Sequence, residues 1–186
     1  TIITTEQPTF TYINADFAKA YGLEVEFRKS FKGVTNSAFI DNFSVNMNAS
    51  LIFSEVDLGS SAVAQERERA LQGQSPYIVN AALYYADQSN LNISLIYNIF
   101  GERIFSVGDD LFPTIYELPR NSVDLTISKQ VGNRVTYKFG IQDLLNARFR
   151  FHEDSDRNAT INERDNVIFS FRRGTLFSLS ATYNLF

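Results

Sequence analysis

Long stretches of this chain alternate apolar and polar residues with a period of two. From Phe43 to Ser54, Phe43, Val45, Met47, Ala49, Leu51 and Phe53 alternate with Ser44, Asn46, Asn48, Ser50, Ile52 and Ser54; only Ile52 breaks the phase. The last stretch repeats it, setting Phe177, Leu179, Ala181, Tyr183 and Leu185 against Ser178, Ser180, Thr182 and Asn184, and the chain ends on Phe186. Successive side chains of a strand point to opposite faces, so each stretch is a strand with one apolar and one polar face. Globular strands average about 5–6 residues, whereas a strand crossing a bilayer needs about 9–11 tilted residues. The stretches here have the second length.

The pattern predicts about seven strands: Phe10–Phe31, Phe39–Val56, Pro76–Ala86, Leu91–Phe105, Arg120–Lys129, Arg134–Phe151 and Asn166–Phe186. The fourth loses its phase at Gly101, where a bulge is expected. Connections alternate in length. Lys32–Ser37, Asp87–Asn90 and Gln130–Asn133 are short turns rich in Gly, Asn and Asp. Asp57–Ser75, Ser106–Leu118 and His152–Asp165 are long; the first carries the charged run Glu66–Arg69, read as solvated loop with room for a helical turn. Outer-membrane barrels have short periplasmic turns and longer extracellular loops. A soluble sandwich has no reason to sort loop length by side. The expected fold is therefore all-β, an antiparallel transmembrane β-barrel. An odd strand count cannot place both ends of a closed barrel on one side, and open edges in lipid leave backbone groups unpaired. Residues 1–186 are thus expected to be the C-terminal part of a larger barrel.

Composition fits this expectation. Mean hydropathy is only −0.16 although 44% of the 186 residues are hydrophobic, and no run approaches the roughly 20 apolar residues of a membrane helix. Seventeen Phe and nine Tyr suit a lipid-facing surface with interfacial girdles. A net charge of −4 argues against a nucleic-acid partner. Without cysteine there is no disulfide framework and no thiolate metal site. TIITTEQPTF at Thr1–Phe10 lacks the basic start and apolar core of a signal peptide.

The candidate ligand-binding residues lie on the polar phase: Glu24, Glu26, Arg28, Asn46, Asn48, Asn80 and Asn98. Three consecutive charges on one strand face need water or partners, and pairing with neighbouring strands is the plainer reading of Glu24, Glu26 and Arg28. The one histidine, His152, sits at a loop rim and cannot make a common zinc site without further ligands. Asp154, Asp156 and Asn158 have the spacing of a calcium loop, with Asp165 near its end. Ala159, however, stands where such a loop needs Gly, so an acidic loop is the plainer reading. Asn48, Asn92 and Asn158 begin N-x-S/T triplets and read as lumen or loop amides. No nucleophile–base or paired-acid constellation stands out, so no catalytic residue, metal or cofactor is expected.

Four segments carry a family resemblance. AYGLEVEFRKSF (Ala20–Phe31) resembles the G-x-E-x-E strand of TonB-dependent outer-membrane receptors, especially their Bacteroidetes-type branch. SPYIVNAALYY (Ser75–Tyr85) is similar to that family's P-Y-x-x-N-x-x-L-x-Y strand. YKFGIQDLLNARFRF (Tyr137–Phe151) resembles its penultimate strand, and Gly174–Phe186 its last. In this family Tyr usually stands two residues before the terminal aromatic; here Tyr183 stands three before Phe186. The resemblance implies a plugged barrel of about 22 strands, of which this chain would form the last seven, the plug and earlier strands lying elsewhere. It further implies a Gram-negative outer-membrane location, lipid as surroundings, TonB acting through the plug, and active import of a siderophore, cobalamin, glycan or peptide. A passive porin and a soluble all-β binding module are the alternatives.

Overall fold

The computed structural model describes residues 15–59 and 68–185. Twelve strands are found among them: β1 (Phe17–Ser30), β2 (Phe43–Asp57), β3 (Glu68–Arg69), β4 (Tyr77–Ala86), β5 (Leu91–Phe100), β6 (Arg103–Ser106), β7 (Ile115–Glu117), β8 (Ser122–Val131), β9 (Val135–Gln142), β10 (Phe149–Glu153), β11 (Val167–Phe171) and β12 (Leu176–Tyr183). A 3-10 turn, Ile40–Asn42, precedes β2. The fold is all-β, and every strand pairing is antiparallel.

The large sheet is a meander in the order β1-β2-β4-β5-β8-β9-β12, with the short β3 on β2. Its seven long strands correspond to the seven expected ones, and among the described residues the sheet is not closed: β1 pairs only with β2, and β12 only with β9. Register keeps the two faces separate across the whole sheet. One line of partners runs Lys29, Val45, Leu83, Leu95, Leu125, Ile141 and Phe177. Another runs Glu26, Asn48, Asn80, Asn98 and Ser122. A slip of one residue anywhere would exchange the faces, so the alternation of each strand fixes its pairing.

The expected strands are too long at one end of the sheet. Leu91–Phe105, Arg134–Phe151 and Asn166–Phe186 each divide in two, and the parts beyond the break form a second sheet, β11-β10-β7-β6. β7 lies inside what the sequence presents as the loop Ser106–Leu118. Each division has a local cause. At Gly101 a Cβ would stand 2.8 Å from the Tyr77 ring, so only glycine passes, and its N–H bonds the Tyr77 carbonyl. Asp143 and Asn146 take left-handed conformations (φ 53° and 45°) between β9 and β10, and Gly174 (φ 88°) does so between β11 and β12. The first expected strand begins at Phe17 in the fold; its residues 10–14, part of the charged run and Phe186 lie outside the described residues. No helical turn occurs among the described residues of Asp57–Ser75; β3 is found there instead.

The buried side chains lie mostly in and around the small sheet. Ile104, Tyr116 and Phe151 are buried there, with Thr114, Glu117, Asp154 and Asp165; Val56 and Ser75 lie where the large sheet meets it. His152 corrects the sequence reading: it is a half-buried residue of β10, paired with Tyr116, because the small sheet takes in the start of the presumed loop.

Candidate functional site

All seven predicted polar-phase residues share one face of the large sheet. Glu26, Asn48, Asn80 and Asn98 stand in one register line, and Arg28 pairs with Asn46 in the next. They are satisfied largely by one another. Arg28 Nε donates to Glu26 Oε1 at 2.6 Å, Asn98 Nδ2 donates to Asn80 Oδ1 at 2.7 Å, and Asn48 Nδ2 donates to Glu24. Asn46 Oδ1 is buried with no hydrogen-bond partner. Glu26 and Arg28 thus pair within β1, and Glu24 meets the neighbouring strand through the neutral Asn48.

The opposite face is apolar, and its composition is ordered along the strands. In β4, Val79, Ala81 and Leu83 lie between Tyr77 and Tyr85; in β2, Val45, Met47, Ala49 and Leu51 lie between Phe43 and Phe53; in β1, Leu23 and Val25 lie between Tyr21 and Phe27. Tyr21 stacks on Phe53 at 5.5 Å, while Phe43 meets Tyr85 and Phe39 edge-on at 5.1 Å. In β1 and β2 the charges on this phase lie beyond the aromatic residues. Lys19 and Glu55 pair at 3.1 Å past Tyr21 and Phe53, and Lys29 follows Phe27. Lys129, at the short-turn end, gives its ammonium to the Ser89 carbonyl at 2.6 Å.

The small sheet builds a second feature that periodicity alone does not reveal. Phe149 stacks on Phe171 (4.9 Å, 7°) and Phe151 on Phe169 (4.2 Å, 21°), while Phe105 meets Phe151 edge-on at 4.8 Å. The Arg103–Glu117 ion pair, at 2.7 Å, continues this face across β7 and β6. At the other end the Arg120 guanidinium lies 4.1 Å from the Phe149 ring centre, and Arg173 lies 5.9 Å from it. Arg120 also approaches Asp143 Oδ2 at 3.2 Å, and Asp124 Oδ1 accepts the Asp143 N–H at 2.8 Å. Arg120 and Arg173, with Ser122, Asp124, Gln142, Asp143, Gly174 and Leu176, line a cavity of about 360 Å³ on the polar face of the large sheet. The sequence signal for this feature is two F-x-F pairs, Phe149–Phe151 and Phe169–Phe171, each next to arginine; reading them as parts of membrane strands hides it.

The loop between β10 and β11 gathers Asp154, Asp156 and Asp165, with one carboxylate oxygen of each within 4.8 Å of the others. Its carboxylates already serve the loop's own backbone. Asp154 accepts the N–H groups of Asn158 and Ala159 at 3.0 and 2.9 Å, and Asp165 accepts those of Ser155 and Asn162 at 2.9 and 2.6 Å. Ala159 takes the left-handed conformation expected of glycine (φ 61°). This geometry suits the acidic-loop reading. Burial, then the nearby Asp165 charge, pushes the Glu102 carboxyl above the usual glutamate range. Asp109 is held below the usual carboxylate range by the N–H groups of Phe112 and Leu111. At the opposite end of the sheet Asp87 is held low chiefly by the Ser89 hydroxyl and the Leu91 N–H.

Compared with known proteins, the chain matches no family model, no curated protein and no solved structure.

Proposed function

We propose that this chain forms part of the wall of a Gram-negative outer-membrane β-barrel, that of a TonB-dependent importer of a scarce nutrient. The observation that carries the membrane part is the aliphatic band that in β1 and β2 is bounded on both sides by aromatic residues and then by charge. Phe43 and Phe53 are ten residues apart in β2. At about 3.4 Å per residue and a tilt of about 40°, that separation corresponds to roughly 25 Å of height, the thickness of the apolar band of membrane barrels.

The stagger of the sheet supports a tilted wall. The line from Lys29 to Phe177 crosses β1 one residue from Ser30 and β12 six residues from Tyr183, a drift of five residues over six strand steps. With about 3.4 Å per residue and about 4.8 Å per strand, the slope is roughly 30°. Measured from the other ends, Phe17 and Leu176, the drift is eleven residues and the slope roughly 50°. The two values bracket the tilt of about 35–45° in membrane barrels. The free edges of β1 and β12 then require further strands, since unpaired backbone groups in lipid each cost several kcal/mol. The importer part rests on the four-segment resemblance, which also implies a plug and TonB as the energy-transmitting partner. No bond chemistry is assigned.

The chain lacks cysteine, so single-cysteine nitroxide labels from Leu91 to Ile99 test the facing in lipid. Oxygen accessibility should peak at Leu91, Ile93, Leu95, Tyr97 and Ile99, and accessibility to a water-soluble nickel chelate at the residues between. A profile without period two would sink the membrane reading. Capture of TonB's C-terminal domain by the intact protein in lipid tests the importer reading; no capture would favour a passive porin.

A further inference from the structure

We infer that the β10–β11 end of the small sheet, with the cavity beside it, binds an organic anion that carries a flat apolar body; an aryl carboxylate is the simplest. This rests on the importer reading and deepens it by naming a ligand class. Charge is the first argument. Arg120 and Arg173 both approach the Phe149 ring, at 4.1 and 5.9 Å from its centre, while Arg148 and Arg172 adjoin Phe149 and Phe171 in the chain. Arg148, Arg172 and Arg173 make no hydrogen bond or ion pair among the described residues, and all three are exposed. The carboxylates at this end are already engaged: Asp143 faces Arg120, and Asp124 accepts the Asp143 N–H. Arg120 Nε and Nη1 are nonetheless buried with no hydrogen-bond partner, and Arg173 lines the same cavity; guanidinium groups bind carboxylates through paired, charge-assisted hydrogen bonds.

Shape is the second argument. Phe169 and Phe171 stand on the edge strand of the small sheet and remain 39% and 43% exposed. Exposed ring faces next to free arginines suit a ligand with an aromatic body and an acidic group. The cavity of about 360 Å³ is at the small end of the usual range for small-molecule sites. It opens on the polar face of the large sheet, which in an importer is the lumen side. A neutral ring such as a sugar would use the ring faces but leave the arginines unanswered.

The test uses the intact protein in lipid nanodiscs and fluorine NMR of 6-fluoro-2-naphthoate, with empty discs subtracted. The naphthoate signal should broaden and shift with protein. The neutral 6-fluoro-2-naphthamide should bind about tenfold more weakly or worse, a factor equal to about 1.4 kcal/mol. Arg173→Gln and Phe171→Leu should each weaken naphthoate several-fold; both residues are exposed, and neither is part of the buried core. Equal affinity for acid and amide, unchanged affinity in both variants, displacement by methyl glucoside, or no binding at all would overturn the inference. Nitroxide accessibility separates the two ideas. A period-two profile without naphthoate binding ends the ligand inference alone. Naphthoate binding with a flat profile ends the membrane reading and leaves the site.

Discussion

The two sheets of this molecule use apolar residues in opposite ways. The large sheet has seven long strands, yet every described side chain of β1 and β12 is exposed. The small sheet has four strands of three to five residues, and it holds Ile104, Tyr116 and Phe151 in its interior. Both are rich in phenylalanine. In the small sheet the rings stack on one another and on arginine, so the protein is its own solvent. In β1, β2 and β4 they border an aliphatic band that nothing among the described residues covers. An apolar face of this extent in water would be anomalous. The difference shows that alternation alone specifies facing, while the medium that receives each face must come from elsewhere.

The strongest way to break this comparison is to remove a ring from each sheet. Phe151→Ala, at 6% exposure, should destabilise the small sheet by about 3–5 kcal/mol. Amides of β10 and β7 should exchange correspondingly faster while those of β4 and β5 keep their protection. Leu179→Ala, at 79% exposure, should cost about 1 kcal/mol or less even in lipid. Comparable losses from the two variants would mean that the large sheet has a protein core after all.

A charge placed on either face of β5 comes next. Leu95→Arg should lower folding yield in lipid vesicles, at a cost of about 2–4 kcal/mol near the bilayer midplane. Ser94→Arg, on the polar face, should be close to neutral. Equal tolerance would contradict the assignment of the apolar face to lipid. A smaller effect is expected at the partly buried Arg103–Glu117 ion pair of the small sheet. Glu117→Gln keeps the shape but weakens the 2.7 Å contact to Arg103. Because Arg103 remains a third exposed, the loss should be about 1 kcal/mol, read as a shift in the small sheet's unfolding midpoint.

The large sheet was legible in the sequence because its strands obey one rule throughout. Phe43–Ser54 keeps phase except at Ile52, Tyr77–Tyr85 keeps its apolar phase from end to end, and the polar-phase residues Glu26, Asn48, Asn80 and Asn98 fall in one register line. The small sheet was not legible, because its strands continue the same apolar spacing past a break. Phe149 and Phe151 look like an extension of Phe139 and Ile141, and Phe169 and Phe171 like the start of Phe177 and Leu179. The breaks depend on the backbone conformations of Asp143, Asn146 and Gly174 and on the close approach of Gly101 to Tyr77. Of these only the glycines announce themselves by residue type. The cluster of arginine around Phe149 joins three segments far apart in the chain, so no local pattern could assemble it. The 154–165 loop shows its carboxylates in the sequence but not their capping of their own backbone, which runs through a conformation at Ala159 that alanine rarely takes.

The smallest effect separates the sheets by pH. Glu102 lies between β5 and β6, where burial and then Asp165 raise its carboxyl above the ordinary range. A carboxyl with a raised folded pKa holds its proton longer in the fold than in the unfolded chain. Stability therefore falls as pH rises from the ordinary glutamate value to the raised one, and the penalty stays constant above that window. Glu102→Gln removes the ionisation. The variant's small sheet should be more stable than the parent's at about pH 7, and the two should converge below about pH 4, where an unfolded glutamate is also protonated. Asp165→Asn should narrow the window without abolishing it, because burial is the larger cause. The large sheet, followed by exchange of β4 amides, should not respond to either change. An advantage of Glu102→Gln that grows toward low pH, or one that spreads equally through β4, would show that the carboxyl is held by a favourable partner and that the two sheets unfold as one.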